Sequence, residues 1–385
     1  MRLAPLLAGV LALAACRSGS SAPPPCGELG EACCATGEAC GTDLRCDAGI
    51  CQPCGASGQA CCTTGAACGA SLNCVASSCE PCGTQGLACC TTGLACGAGL
   101  ECAESTCLDV CRLDKPGITW LAFTHVSGGN YDVDLVHDDG TCRVPAVAGA
   151  ATDNFPAFSP PDLGLLVFSS TRGGAPGLYT RDLAAGTEQG VPVVGVTATA
   201  PRYSPDGIWI AFEGKATSAT RTDVYRVLRV GGQPMALTGA PGNSAGPVYS
   251  PDGSTVYLVS NRAGAYQVYA VAADGGTATL VSGTSGIQGR PALSPDGTQL
   301  AFTRINASSV AEVAVKDLVG GGVRVVSAQG DADPCFDATG ARLAVSSSRG
   351  GDHAIWILDA SDGGNAVRVT TPSAGEIDGQ PAFRP

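Results

Sequence analysis

Five carboxylates lie just before the prolines that recur through the C-terminal two-thirds of the chain. They are Asp153, Asp331, Asp333, Glu376 and Asp378. Carboxylate oxygens suit Ca²⁺, and a cluster of them attracts basic peptides. If the repeated units form a ring, the loops that carry these side chains lie near its central channel. We therefore predict a ligand site at the channel mouth, and a solvated acidic rim is the simpler alternative.

The chain has three histidines, His125, His137 and His353. His125 and His353 fall in the first and last repeats, so closure of a ring brings them near one another. A metal site there needs carboxylates or a third histidine. Three separate surface or loop histidines are the favoured alternative. We therefore predict no catalytic residue, no enzyme activity and no resident cofactor, with Ca²⁺ at the channel mouth left as an open alternative.

Eighteen of the 22 cysteines follow one spacing, C-x6-C-C-x5-C-x5-C-x4-C, which occurs three times at an offset of 28 residues. They are Cys26, Cys33, Cys34, Cys40, Cys46, Cys51, Cys54, Cys61, Cys62, Cys68, Cys74, Cys79, Cys82, Cys89, Cys90, Cys96, Cys102 and Cys107. The pattern predicts a disulfide framework, because so short a unit cannot bury enough apolar surface to fold alone. It resembles a knottin-like module, and the sequence does not choose among the connectivities that six cysteines allow. Thiolate binding of zinc or copper is the competing interpretation, and it needs a reducing compartment.

Three of the remaining cysteines have separate predicted roles. Cys111 and Cys142 flank the start of the first repeat, and we expect them to pair with each other. Cys335 stands where other repeats have a small residue, which favours a buried free thiol over a reactive one.

Residues 1–15 have the pattern of an export signal, in which Arg2 precedes an apolar run too short to span a bilayer. The run ends in Leu-Ala-Ala-Cys16, which resembles the lipobox of bacterial lipoproteins. The resemblance implies cleavage before Cys16 and lipidation of that cysteine. Arg17, in place of an aspartate, implies the outer membrane. Residues 16–25 are then a tether, and an ordinary cleavage site with an incidental Cys16 is the alternative.

The cysteine-rich part, residues 26–107, is divided by its spacing into units 26–53, 54–81 and 82–107. Its one basic residue, Arg45, stands against eight acidic ones, which account for −7 of the net charge of −12. The acidic residues are Glu28, Glu31, Glu38, Asp43, Asp47, Glu80, Glu101 and Glu104. This charge argues against nucleic acid and anionic lipid surfaces as partners. We interpret these units as a protease-resistant stalk.

A second repeat in the sequence predicts the strands and turns that position the five carboxylates. Its lead prolines are 43 to 47 residues apart, at Pro156, Pro201, Pro247, Pro291, Pro334 and Pro381. In Ser204-Pro205-Asp206-Gly207, the proline and the glycine have the backbone preferences of a tight turn between antiparallel strands. A near-continuous apolar strand, an alternating strand and a fourth short strand follow each turn. Four short strands in each period predict a blade of a β-propeller.

The two ends of this region predict how the ring closes. Residues 118–147 show three strands of a blade without the proline-bearing one, and the chain ends with such a strand at Gln380–Phe383. We therefore predict an all-β, six-bladed propeller over residues 118–385, closed by the C-terminal strand. Residues 108–117 are a linker.

The turn, together with the elements Thr171-Arg-Gly173, Asn261-Arg262 and Ser348-Arg-Gly350, resembles the repeats of TolB-type (PD40/WD40-like) propellers. The resemblance implies a six-bladed propeller of a kind that often sits in bacterial envelopes. TolB has an α/β domain where this chain has cysteine units, so the resemblance does not transfer TolB's partners.

These observations predict a monomeric, lipid-anchored protein of the cell envelope, on the periplasmic or the outer side. We expect its propeller to bind or scaffold protein or peptide partners, with the lipid as its contact with the membrane. The alternative is an envelope enzyme, a polysaccharide lyase or hydrolase. A third hypothesis is that the cysteine units inhibit proteases.

Overall fold

The computed structural model describes residues 117–160, 164–239, 241–283 and 286–385. In the N-terminal part it describes residues 29, 44–47, 50–54, 56–57, 59, 72–75, 78–82, 84–85, 87–90, 96, 100–103, 105–109 and 111–112. The predicted signal peptide, Cys16 and the tether lie outside the described residues. The described part consists of strands and turns, and it contains no helix long and apolar enough to cross a membrane.

The chain divides into two compact units, Met1–Arg112 and Leu113–Pro385. The first unit contains three antiparallel hairpins at the 28-residue offset of the cysteine spacing. Their strands are β1 (Leu44–Asp47), β2 (Ile50–Pro53), β3 (Leu72–Val75), β4 (Ser78–Pro81), β5 (Leu100–Ala103) and β6 (Thr106–Asp109). In each hairpin the last two cysteines of the unit face each other across the strands, as Cys102 and Cys107 do.

The disulfides of the third cysteine unit join Cys82 to Cys90, Cys89 to Cys102, and Cys96 to Cys107. The first cysteine of the unit is therefore bonded to the third, the second to the fifth and the fourth to the sixth. The adjacent Cys89 and Cys90 bond to different partners, and the facing hairpin cysteines are not bonded to each other. Cys111 and Cys142 are each half of a disulfide.

The second unit is a propeller of six four-stranded antiparallel sheets. Blade 1 contains β7 (Trp120–Ser127), β8 (Asn130–His137), β9 (Val144–Val147) and β30 (Ile377–Phe383); blade 2 contains β10 (Asp153–Phe158), β11 (Leu165–Ser170), β12 (Gly177–Asp182) and β13 (Glu188–Val191). Blade 3 contains β14 (Val196–Tyr203), β15 (Trp209–Ala216), β16 (Asp223–Leu228) and β17 (Met235–Ala236); blade 4 contains β18 (Ser244–Tyr249), β19 (Thr255–Ala263), β20 (Ala265–Ala272) and β21 (Thr279–Leu280). Blade 5 contains β22 (Ile287–Leu293), β23 (Gln299–Ile305), β24 (Ala311–Asp317) and β25 (Val323–Ser327); blade 6 contains β26 (Asp331–Phe336), β27 (Arg342–Ser347), β28 (Ala354–Asp359) and β29 (Val367–Arg368).

The C-terminal strand β30 closes the ring by pairing with β7, so blade 1 is built from both ends of the propeller sequence. The first strands of the six blades, β30, β10, β14, β18, β22 and β26, contact one another in a closed circle. They are therefore the innermost strands and line the central channel. The predicted fold class, blade count and closure are confirmed.

In blades 3, 4 and 5 the recurring Ser-Pro-Asp-Gly turn holds its hairpin by local hydrogen bonds. The Ser204 hydroxyl donates to Asp206, and it accepts a hydrogen bond from the backbone N–H of Trp209. Gly207 closes the turn at a φ of 67°, in the left-handed region that glycine adopts freely. The hydrogen bond from the serine, followed by backbone N–H bonds, lowers the pKa of the aspartate at this position in blades 3, 4 and 5.

The core lies between consecutive blades. The aromatic residue in the second strand is fully buried in four blades, at Phe123, Phe168, Phe212 and Phe302. Each such side chain contributes about 1.5–3 kcal/mol of transfer free energy. The near-continuous apolar pattern of these strands is thus explained by burial on both of their faces.

Candidate functional site

The innermost strands share one irregularity that shapes the channel. Each has a β-bulge next to its lead proline, which has no N–H to donate to the ladder. The bulge carries a residue with positive φ in every blade: Phe155, Ala200, Gly246, Gly289, Asp333 and Gln380. Four of these six are not glycine. Left-handed backbone costs a non-glycine residue about 1–2 kcal/mol, so the surrounding structure must hold it in place.

Hydroxyl groups from the preceding blade hold four of these bulges. The backbone N–H of each bulge residue donates to a serine or threonine in the second strand of the blade before it. The four bonds run from Phe155 to Thr124 (3.2 Å), from Ala200 to Ser169 (2.9 Å), from Asp333 to Thr303 (3.0 Å) and from Gln380 to Ser346 (3.0 Å). In each case the hydroxyl residue directly follows the buried residue of the second strand. One recurring bond therefore joins neighbouring blades around most of the ring.

The recurring bond is altered at blades 3, 4 and 5. Blade 3 has Glu213 at the hydroxyl position, and its carboxylate accepts the N–H of Gly246 instead. Blade 4 has Val259 there, which has no group that accepts a hydrogen bond. The bulge of blade 5, which faces Val259, contains one residue more than the others because Arg290 is inserted between Gly289 and the proline.

A cavity of about 330 Å³ lies where the hydrogen bonds between blades 3, 4 and 5 differ from those of the other blades. It is lined by Phe155, Ala200, Glu213, Ala245, Gly246, Val259, Tyr266, Ile287, Gly289, Arg290 and Asp333. These residues come from blades 2 to 6, so the cavity lies at the central channel. We call it the channel site. Its volume falls within the range of small-ligand pockets.

Charged groups crowd the channel site. Burial, followed by the nearby Arg202, lowers the pKa of Arg290 to about 9, while Asp333 and Glu213 oppose that shift. Burial raises the pKa of Glu213, and Arg290 and the N–H of Gly246 partly offset the effect. The Arg290 guanidinium lies over the ring of Phe155, 4.5 Å from its centroid.

Three of the five predicted ligand carboxylates, Asp153, Asp331 and Asp378, are fully buried beside positively charged side chains. Arg172 donates to both oxygens of Asp153, at 2.9 and 3.0 Å, and Arg349 contacts Asp331. Asp378 lies between His125 (2.7 Å) and Arg143 (3.2 Å). Each of these carboxylates is thus engaged by an arginine of its own blade, and Asp331 also accepts a hydrogen bond from Ser327 of blade 5.

The arginine of the elements Thr171-Arg-Gly173, Asn261-Arg262 and Ser348-Arg-Gly350 forms the same clamp in blades 2, 4 and 6. Its Nε donates to a serine two residues earlier, and it lies over an aromatic ring of the third strand. Arg172 lies over Tyr179 (5.0 Å), Arg262 over Tyr269 (4.8 Å) and Arg349 over Trp356 (5.2 Å). This geometry gives the recurring arginine a structural role.

The other two predicted carboxylates are less buried. Glu376 accepts a hydrogen bond from Ser127 and lies 3.9 Å from His125. Asp333 lines the channel site, and it is the one predicted ligand residue that does so. That any of the five carboxylates binds Ca²⁺ or a basic peptide stays a prediction.

The sequence favours three separate surface or loop histidines, and this prediction is wrong for two of them. His137 is fully buried against Trp120, with ring centroids 4.2 Å apart, and His125 is paired with Asp378. His353 is exposed, and its carbonyl oxygen accepts the N–H of Asp378 at 2.9 Å. The two histidines expected to meet at the ring closure are therefore both joined to Asp378, because the C-terminal strand brings it between them.

The cysteines add no open metal site in the described part of the chain. Within it, the one group of three cysteine, histidine or acidic side chains close enough to hold a metal is Cys89, Cys96 and Cys107, whose sulfurs are in disulfides. Cys335 is a free thiol on the innermost strand of blade 6, and it is partly buried. Burial raises its pKa, which disfavours the reactive thiolate.

The sequence contains one Gly-x-Ser-x-Gly stretch, Gly242–Gly246, which has the spacing of a nucleophile elbow. Such an elbow turns from a strand into a helix, whereas Ser244 begins the innermost strand β18. The Ser244 hydroxyl is buried and bonded to Ser260 at 3.1 Å. This serine is therefore part of the blade 4 clamp and does not have the setting of a nucleophile.

Sequence reasoning missed Arg202, Glu213 and Arg290. All three residues can be identified in the sequence, because each stands where its blade differs from the other blades. Arg202 follows a lead proline where other blades have Ala157, Val248, Ala292, Cys335 and Ala382. Glu213 replaces a hydroxyl residue, and Arg290 lengthens a bulge.

The family model described as TolB beta propeller domain (PD40) matches residues 118–333, which is more than half of the chain. Among solved structures, TolB from Acinetobacter baumannii is similar at 23% identity over 69% of this chain and 67% of that one, with a TM-score of 0.62. A putative TolB from Agrobacterium tumefaciens is 20% identical over 70% of this chain and 100% of that one, with a TM-score of 0.53. Kuenenia stuttgartiensis hydrazine synthase is 14% identical over 69% and 47%, with a TM-score of 0.58. These structural likenesses show the fold alone.

Proposed function

Because the chain belongs to the family of TolB beta propeller domains, we propose that its propeller is a binding module for protein or peptide partners in the cell envelope. The observation that carries the proposal is the channel site, where the inter-blade bonding is interrupted and a cavity opens among Glu213, Arg290 and Asp333. A repeat unit that only stacks on its neighbours has no physical need for such a departure.

Tyr266 makes this proposal testable without disturbing the core. Its side chain lines the channel site and is 38% exposed, so replacing it removes contact area at little structural cost. The test immobilises the full chain and identifies by mass spectrometry the proteins it captures from an envelope extract. Val319→Ala is the matched control, because Val319 is 83% exposed and is not among the lining residues.

A specific partner is expected to be retained by the parent chain and by Val319→Ala, and to be lost with Tyr266→Ala. Capture of nothing above background, or equal capture by both variants, contradicts binding at the channel site.

We further propose that the chain is exported and anchored in the outer membrane through a lipid on Cys16, with the cysteine units as its stalk. The support is the lipobox-like sequence and the disulfides of the third unit, which suit an oxidising compartment. Metabolic labelling with a fatty acid is expected to label the parent chain and not Cys16→Ser. Labelling of Cys16→Ser, or an unlabelled parent chain, contradicts the anchor.

An envelope enzyme that acts on polysaccharide is the second candidate, and the pairing of His125 with Asp378 favours it. A carboxylate that orients an imidazole is a common part of acid–base sites. The His125 side chain is only 15% exposed, and Asp378 is fully buried and also engaged by Arg143. A substrate therefore has no access to the carboxylate of this pair. We expect no turnover of uronic-acid polymers, and turnover that is lost with His125→Gln would favour the enzyme.

A further inference from the structure

Two of the three guanidinium nitrogens of Arg290 are buried without a partner in the part of the chain that the structure describes. Arg290 is 8% exposed, and its Nε and Nη1 atoms are buried with no hydrogen-bond acceptor. By contrast, the clamp arginines Arg172 and Arg349 end on carboxylates. A buried charged donor without an acceptor destabilises the folded state, so this arrangement calls for a reason other than stability.

The neighbouring carboxylates do not meet this need. Asp333 and Glu213 line the same cavity, but within the described residues neither forms an ion pair or hydrogen bond with Arg290. The backbone N–H of Asp333 donates to the Thr303 hydroxyl, and the Glu213 carboxylate accepts the N–H of Gly246. Their charges favour the guanidinium from a distance and leave its N–H groups unused.

The backbone around Arg290 is built to hold the side chain at the cavity. A Cβ atom at Gly246 would stand 2.7 Å from Cγ of Arg290, so only glycine leaves room for this packing. One face of the guanidinium is covered by Phe155. The Nε and Nη1 donors in the guanidinium plane have no acceptor within the described residues.

The geometry points to a carboxylate. Every guanidinium edge that can hold a carboxylate through two hydrogen bonds includes Nε or Nη1, the two unpartnered atoms. The lining of the same cavity also includes the apolar side chains of Val259, Ile287 and Ala245, which suit a small apolar group next to the carboxylate.

The charge balance also favours a monoanion. Arg290 and Arg202 lie near Asp333 and Glu213, and burial disfavours the ionised form of Glu213. Asp333 lies in the same lining as the Arg290 guanidinium, so a dianion such as phosphate would meet more repulsion there than a monoanion does.

We propose that the channel site binds the carboxylate of a ligand whose adjoining group is small and apolar, with Arg290 as the anchoring donor. The carboxylate comes from a chain terminus, an acidic side chain or a small organic acid. This inference deepens the proposed function, since it names the chemical group that the channel site selects, but it does not require that the ligand be a peptide.

The test is isothermal titration of the full chain with three pairs of probes. They are isovalerate against isovaleramide, N-acetyl-leucine against its amide, and N-acetyl-aspartate amide against N-acetyl-asparagine amide. In at least one pair the carboxylate is expected to bind at least tenfold more tightly than the amide. The pair that binds most tightly identifies the source, because the three represent an organic acid, a chain terminus and an acidic side chain.

Three variants connect the binding to Arg290. Arg290→Gln is expected to weaken carboxylate binding at least tenfold. Gly246→Ala is expected to weaken it while Arg290 remains, because the added Cβ displaces the side chain. Lys316→Gln removes the same charge from the third strand of blade 5, outside the lining, and is expected to leave binding unchanged. Near-ultraviolet circular dichroism checks that each variant is folded.

The proposal is overturned if no carboxylate binds at millimolar concentration, if the amides bind as tightly, or if inorganic phosphate binds more tightly than every carboxylate. Unchanged binding to folded Arg290→Gln, or an equal loss with Lys316→Gln, also overturns it. Failure of the probes together with specific capture of a partner would reject this inference and leave the proposed function standing. Carboxylate binding without capture of any partner protein would support this inference and reject the proposed function.

Discussion

At the residue scale, the carboxylates that attract attention in the sequence serve the blades. Asp153 illustrates this, because it is fully buried and both its oxygens accept hydrogen bonds from Arg172. A buried carboxylate needs such a partner, since an isolated buried charge is strongly unfavourable. The residues that interrupt the repeat, Glu213 and Arg290, are better candidates for contact with a ligand.

Asp153→Ala is expected to lower the free energy of unfolding by about 2 kcal/mol, because it leaves Arg172 without its buried carboxylate. The double variant Asp153→Ala/Arg172→Leu is expected to regain part of the loss, since it removes a guanidinium that would face the vacated site with only the less buried Glu188 as its ion-pair partner. Urea unfolding of both variants measures the effect. A double variant less stable than the sum of the two single changes would contradict the clamp.

Glu213 makes the stability of the propeller depend on pH. Burial raises its pKa in the folded chain, so the folded state holds this proton more tightly than the unfolded state does. Its contribution to stability is then complete below the unfolded pKa and is lost as pH rises through the folded pKa. Glu213→Gln keeps an oxygen for the N–H of Gly246 but does not titrate.

Relative to the parent chain, Glu213→Gln is therefore expected to be more stable at pH 7 than at pH 4. Urea unfolding at the two pH values measures the difference, and Asp274→Asn, at an exposed carboxylate, is the control. A stability difference that is the same at both pH values would show that Glu213 does not carry this dependence.

At the element scale, the turn and the bulge are the two devices that repeat. The Ser-Pro-Asp-Gly turn is stabilised within itself and so needs only a few consecutive residues. The bulge of the innermost strand needs the blade before it, because its N–H donates to a hydroxyl there. The first device is therefore visible in the sequence, and the second becomes visible only once the blades are stacked.

Gly253→Ala tests the turn. Gly253 has a φ of 70°, and its added Cβ would make an ordinary 3.6 Å contact with Pro205, so strain comes from the backbone alone. We expect a loss of about 1–2 kcal/mol. Gly322→Ala is the control, because its Cβ would meet nothing within 4 Å and its φ lies outside the left-handed region; we expect a change within about 0.5 kcal/mol. If Gly253→Ala and Gly322→Ala lower the stability equally in thermal unfolding, the turn does not depend on the left-handed backbone of Gly253.

At the scale of the whole molecule, one strand closes the ring. β30 supplies the first strand of blade 1, and the backbone N–H of Gln380 donates to Ser346 of blade 6. Without this strand, the edge of β7 is unpaired and blade 6 loses its hydrogen bond to Gln380. Exposed strand edges favour aggregation.

A chain that lacks residues 377–385 is expected to lose cooperative thermal unfolding and to aggregate. A synthetic peptide of residues 377–385 is expected to restore a cooperative transition, and a peptide of scrambled sequence is not. A truncated chain that unfolds with the parent's transition would contradict closure by this strand.

The sequence by itself determines the propeller, its six blades and its closure. Those features depend on turn chemistry and strand patterning, which act between residues close in the chain, and on counting one incomplete unit at each end. Thr171-Arg-Gly173 is likewise recognisable as part of a repeat. The even cysteine spacing of residues 26–107 predicts a disulfide framework for the same reason.

Only the tertiary structure decided which groups meet. It selected the partners of Cys89 and Cys90, placed Asp378 between the two histidines of the closure, and enclosed Asp153 beside Arg172. It also brought Glu213 and Arg290, 77 positions apart in the sequence, to one cavity. Contacts of this kind depend on how blades stack around an axis, and no local preference of the chain encodes them.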